Sequence, residues 1–146
     1  TYVRKSWGMP SLAHELHLLV RALDRSAEVR LAPFGLTYPR YLALVVIGDH
    51  EGLTQRELAE ALGLSEPTAS RTATALAEDG WLEITRTPGG GNRRALRLTV
   101  DGRDLLTRSS ASLGADFDDV VRGIGRDPGA LAEDVRRLTA ILLESP

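Results

Sequence analysis

Apolar residues recur along this chain at two different periods, and the switch between them divides it. Leu12, Leu16, Leu19, Val20 and Leu23 fall on one face of a helix. Met9-Pro10-Ser11 opens that helix, and Pro33 and Gly35 end it near Leu31. At about 1.5 Å per residue it spans roughly 30 Å, more than one small core requires. Thr37 precedes a second helix, with Leu42, Leu44, Val45 and Ile47 apolar, that stops near Gly48-Asp49. In "LTQRELAEALG", residues 53–63, Thr54 and Glu57 have capping-box spacing. Leu58, Ala59 and Leu62 form its inner face, and Gly63 suits the left-handed position after a helix. In "LSEPTASRTATALAEDG", residues 64–80, Ser65 is the N-cap, Pro67 sits in the first turn and Gly80 ends the helix.

The period then drops to two. Leu82 and Ile84 alternate with Glu83 and Thr85, and Leu96, Leu98 and Val100 alternate with Arg97 and Thr99. Two such runs around a turn-rich centre predict a β-hairpin with one buried face. The centre, within "TPGGGNRRALRLT", is rich in Gly and Arg, as a phosphate cradle would be. A cradle needs a helix N-terminus behind it, and the Walker pattern needs Lys and then Ser/Thr. Asn92-Arg93-Arg94 follows instead, so the glycines predict a flexible hairpin tip. Asp101-Gly102-Arg103 leads into a helix to about Ile124, "GRDPG" (125–129) breaks it, and a last helix carries Leu131, Val135, Leu138, Ile141 and Leu142. The expected class is mainly α with a small β-hairpin (α+β).

Composition narrows the class of function. The chain has 146 residues, 42% hydrophobic and 26% charged, and no cysteine. One ordinary domain is expected. Disulfides, thiolate metal sites and thiol redox sensing are excluded for these residues. No apolar run approaches the ~20 residues of a membrane span. No signal-peptide pattern opens the chain, so a cytoplasmic protein with no membrane partner is expected. The net charge of −2 does not advertise a nucleic-acid partner. Residues 54–103 carry seven basic and seven acidic side chains, so geometry must decide whether the basic groups converge.

The helices at 54–62 and 65–79 meet at Gly63-Leu64, with Ala59, Gly63 and Ala69 supplying the small residues a helix-turn-helix needs. With Ala69, Ala73 and Leu76 as the packing stripe, Thr68, Ser70, Arg71 and Thr74 face outward or sideways. Short hydrogen-bonding side chains around one arginine suit base edges and phosphates in a major groove. Glu66 is dissonant: it could disfavour phosphate, contact a cytosine amine, or complement the helix dipole. A hairpin directly after this helix pair is the wing of a winged helix, and its arginines suit a narrow minor groove.

From here the chain resembles the MarR family of bacterial transcriptional regulators, over nearly its whole length. The resemblance rests on the long first helix, "LTQRELAEALGLSEPTASRTATALAEDGWLE", the wing with "NRRALRLTVDG", and an LxLTxxG element at Leu96, Leu98, Thr99 and Gly102. It implies one domain over 1–146, with a winged helix-turn-helix lobe at 36–102 flanked by dimerisation helices at 10–31 and 103–146. It implies a homodimeric repressor on a pseudo-palindromic double-stranded DNA operator, nucleoid-associated when bound. The DNA-contact candidates are Ser65, Thr68, Ser70, Arg71 and Thr74 on the recognition helix, and Asn92, Arg93 and Arg94 on the wing. Asn92 stands where the family commonly has Asp, and the stretch to Thr99 is about two residues shorter than the family's.

Other chemistry is sparser. The resemblance implies a small aromatic or carboxylate effector, for which His17, Arg21 and Arg25 are candidates; equally, they form the solvated face of an amphipathic helix. His14 and His17, three apart, could seat two ligands on zinc with His50-Glu51 as the only completion; a surface pair is favoured and no metal or cofactor is expected. Asp118 and Asp119 diverge by roughly 100° on a helix, and no catalytic constellation appears, so an enzyme is not expected. The alternative to a DNA-binding regulator is a winged helix that binds protein, which the charge balance of 54–103 keeps open.

Overall fold

A computed structural model describes residues 11–86, 93–113 and 116–145. The chain divides into two compact units, Thr1–Ser112 and Leu113–Pro146, taken separately below.

In the first unit, α1 (Leu12–Leu31) starts where Ser11 Oγ accepts the His14 amide, and runs into a 3-10 turn, Ala32–Phe34. Gly35 reverses the chain at φ 68°, and Thr37 caps α2 (Tyr38–Asp49) through the Arg40 amide. Next come α3 (Gln55–Leu62), α4 (Glu66–Glu78) and the antiparallel strands β1 (Leu82–Arg86) and β2 (Arg94–Leu98). Ala43, Leu44 and Ile47 of α2, Leu58 and Ala59 of α3, and Ala69, Ala73 and Leu76 of α4 are buried together with Leu82, Leu96 and Leu98 of the hairpin. Each buried leucine contributes about 1.5–3 kcal/mol, so this shared core outweighs the propensity of short helices such as α3.

The strands pair from Leu82 opposite Leu98 to Arg86 opposite Arg94. The other edge of β2 is also covered. The Gly52 amide donates to Leu96 O (2.8 Å), the Leu96 amide donates to Leu53 O (2.9 Å), and Thr54 bridges Ala95. Three residues without alternation gave no strand signal, yet they tie the entry of α3 to the wing.

Two expected boundaries move. Val100 was expected to continue the strand alternation; it opens α5 (Val100–Leu113) and is 87% exposed. The Thr99 hydroxyl explains the change. It accepts the Gly102 amide (2.9 Å) and donates to Gly80 O (2.7 Å), turning the chain into a helix while clasping the end of α4. The single helix expected through Ile124 is two, α5 and α6 (Asp116–Gly123). Gly114-Ala115 lies between them, outside the described residues, and glycine is the poorest helix former after proline.

In the second unit, α6 buries Val121, Gly125 breaks the chain at φ 79°, and Asp127 caps α7 (Pro128–Glu144) through the Ala130 amide (2.8 Å). The α7 helix buries none of its residues within the chain. No single helix among the described residues is long and apolar enough to cross a membrane.

Candidate nucleic-acid interface

The helix-turn-helix is fixed by its own side chains. Thr54 Oγ1 accepts the Glu57 amide (3.1 Å), and Glu57 Oε1 accepts both the Thr54 amide (3.1 Å) and the Thr54 hydroxyl (3.0 Å). These bonds, the backbone one first, hold the Glu57 carboxyl below the usual glutamate range, with the charges of Arg93 and His50 acting in the same direction. Gly63 closes α3 at φ 66°, and the Leu64 amide returns to Ala59 O (2.9 Å). A β-carbon at Gly63 would meet open space, so its left-handed backbone, rather than crowding, is what favours glycine.

Ser65 then starts α4. Its Oγ accepts the Thr68 amide (3.3 Å) and donates to Thr68 Oγ1 (2.8 Å). Arg71 Nη2 donates to the same Thr68 oxygen (3.3 Å). Ser65, Thr68 and Arg71 therefore form one hydrogen-bonded line along the helix. With Ala69, Ala73 and Leu76 buried, Arg71 and Thr74 are exposed and Thr68 and Ser70 are half-buried. Four of the expected contact residues thus share the side of α4 turned away from the core.

Glu66 is engaged. Arg56 of α3 reaches Glu66 (3.8 Å) and Glu60 (3.6 Å), joining the two helices at the start of α4. Exposed pairs of this kind add little stability, but they offset negative charge where a phosphate would approach.

The wing arginines stand beside the loop of the hairpin. Arg94 is the first residue of β2, opposite Arg86 on the rung next to the loop, and Arg93 adjoins it on the loop side. Asn92 and the glycines of the expected tip lie outside the described residues. Arg93 and Arg94 line a cleft of about 510 Å³ against the first turn of α3, together with Glu60 and Glu66. Gln55 Nε2, on the same cleft, is buried with no hydrogen-bond partner among the described residues. Sequence reading singled out neither Arg56 nor Arg86. The strand parity of Arg86 was visible, but its partner was not, because the turn length left the register unset.

On α1, His17, Arg21 and Arg25 are exposed on successive turns, and His17 Nδ1 lies 2.7 Å from Ala13 O. Glu51 is paired with Arg103. Among the described residues no three His, Cys, Asp or Glu side chains converge as metal ligands would.

Comparison with known proteins agrees with this architecture. Residues 34–94 match the model of the MarR family. The chain is 26% identical over 135 residues to the organic hydroperoxide resistance transcriptional regulator of Bacillus subtilis, covering 90% of this chain and 86% of that one. Among solved structures, the PcaV transcriptional regulator of Streptomyces coelicolor, in complex with its natural ligand, superposes with a TM-score of 0.73 at 26% identity, covering 94% and 99% of the two chains. The transcriptional repressor CouR, bound to a 23-mer DNA duplex, superposes with a TM-score of 0.74 at 22% identity, covering 92% and 93%.

Proposed function

We propose that this chain is a MarR-family transcriptional regulator that binds double-stranded DNA as a homodimeric repressor. The observation that carries the reading is the division of α4. One face is locked into the core by Ala69, Ala73 and Leu76, and the other offers Ser65, Thr68, Ser70, Arg71 and Thr74, with Arg71 oriented by Thr68. A helix held this rigidly can read base edges in a major groove, arginine addressing guanine and the hydroxyls either base or phosphate. Asn92, Arg93 and Arg94 serve the wing. The N-termini of α3 and α4 add backbone donors to phosphates.

The homodimer is supported by apolar surface that neither unit covers within the chain. Leu12 and Val20 of α1, and Ile141 and Leu142 of α7, are more than half exposed. A twofold dimer covers such stripes and matches a pseudo-palindromic operator. PcaV is in complex with a natural ligand; here an effector is supported by His17, Arg21 and Arg25 on successive turns of α1, a set suited to a small carboxylate. These 146 residues hold no cysteine, so a hydroperoxide cannot be sensed by thiol oxidation within them. The site of action is the cytoplasm.

Selection of bound sequences from random duplexes, followed by a salt series on the selected site and on random DNA, tests the reading. A groove binder loses affinity steeply with salt and prefers the selected site. A protein-binding winged helix shows neither behaviour, and that result overturns the proposal. Benzoate and acetate titrated into the DNA complex test the effector, with Arg21→Ala expected to abolish any release.

A further inference from the structure

The wing holds two charged rungs of opposite design. Glu83 stands opposite Arg97, a complementary pair. Three residues on, Arg86 stands opposite Arg94, and both are exposed. Directly opposite residues share one face of the sheet with β-carbons about 4.5–5.5 Å apart, and like charges there are destabilising. Arg86 and Arg94 have the same strand parity as Leu82, Ile84, Leu96 and Leu98, which turn toward the core. The two guanidiniums therefore sit on the helix-facing side of the hairpin, where the core ends. Arg94 lines the cleft against α3 and the start of α4.

The carboxylates of that cleft are engaged by other groups. Glu57 accepts from Thr54, and Glu60 and Glu66 both lie within reach of Arg56. Among the described residues neither Arg86 nor Arg94 has an ion-pair partner. A repulsive pair of exposed forks, with the local acids already engaged, is arranged for an anion from outside. The planar guanidinium matches phosphate oxygens two at a time.

We infer that Arg86 and Arg94 together clamp one backbone phosphate of bound duplex DNA at the loop end of the wing's paired strands, making Arg86 a DNA-contact residue. The inference rests on the DNA-binding reading above. Arg94 shares its cleft with Glu66 at the start of α4, so the clamped phosphate belongs to a strand flanking the groove that α4 enters. It positions the protein and does not read sequence.

The test compares wild type, Arg86→Ala, Arg86→Lys, Arg94→Ala, the Arg86→Ala/Arg94→Ala double variant and Arg71→Ala on the selected duplex across a salt series. Arg86→Ala should flatten the salt slope by about one, which weakens binding about eightfold at about 0.1 M salt relative to 1 M. Sequence preference should not change, and the melting temperature of the free protein should not fall, because a repulsion has been removed. Since the phosphate is held only while both forks grip it, the double variant should lose no more slope than either single variant. Arg86→Lys should keep the slope with intermediate affinity. A wild-type slope in Arg86→Ala, while Arg71→Ala weakens binding, overturns the clamp and leaves the regulator reading standing. A loss of two in the double variant assigns the arginines to separate phosphates and also overturns it. Stabilisation of the free wild type, but not of Arg86→Ala, by millimolar inorganic phosphate replaces DNA with a free anion. If the wild type itself shows no salt-dependent binding, it is the underlying reading that fails.

Discussion

Gly102 is held where no side chain fits. A β-carbon built there would lie 1.9 Å from the Trp81 carbonyl oxygen, and that oxygen also accepts the Thr99 amide. Backbone cannot swing aside as a flexible side chain does, so Gly102→Ala forces the start of α5 away from the wing. Overpacking of this kind typically costs about 1–3 kcal/mol. At roughly 2–4 °C per kcal/mol for a chain of this size, the melting temperature should drop measurably. An unchanged melting curve would show that the clasp yields. Glu57 carries a second prediction at this scale. Its pKa is lowered on folding, so its contribution is complete above the ordinary glutamate range and is lost as pH falls through the lowered value. Urea midpoints measured between about pH 5 and pH 3 should fall more steeply for wild type than for Glu57→Gln, since the reference glutamate titrates near 4.3. Parallel slopes would assign the acid sensitivity to other groups.

At the scale of elements, the recognition helix works as a unit with a supporting hydroxyl. Thr68 Oγ1 receives both Ser65 and Arg71, so Thr68→Val removes the acceptor that orients the arginine. A net hydrogen bond is worth about 0.5–1.5 kcal/mol, and Arg71→Ala should cost about 1–3 kcal/mol of specific binding. The double variant should lose less than the sum, because the threonine acts through the arginine. Additive losses in a binding cycle would give Thr68 a separate contact. The helices α1 to α4 were legible in sequence because each carries its own N-cap: Ser11, Thr37, Thr54 and Ser65. The outward face of α4 followed from the three small or apolar residues that must be buried. What sequence could not supply was long-range. The pairing of 52–54 with β2 has no local period, and Val100 obeys strand parity until the Thr99 cap overrides it. The register that sets Arg86 against Arg94 depends on turn geometry.

At the scale of the whole molecule, α7 is the element least explained by the chain alone. It runs for 17 residues and buries none of them, with Val135 49%, Ile141 61% and Leu142 74% exposed. A helix of this length is marginal in water on propensity alone, and its stripe at 131, 135, 138 and 142 keeps the spacing of a packed face. A second copy of the chain offers the same stripe, so a twofold interface buries both at once. Leu138→Asp with Leu142→Asp should then split the homodimer while leaving the winged helix-turn-helix of the first unit folded. Sedimentation at micromolar concentration should shift from dimer to monomer. Operator affinity should fall steeply, because two linked half-site contacts exceed a single one by about 10²–10⁴. Binding to an isolated half-site should remain, since Arg71 and its helix are untouched. A variant that sediments as wild type, or a wild-type monomer that binds the full operator tightly, would refute assembly through α7.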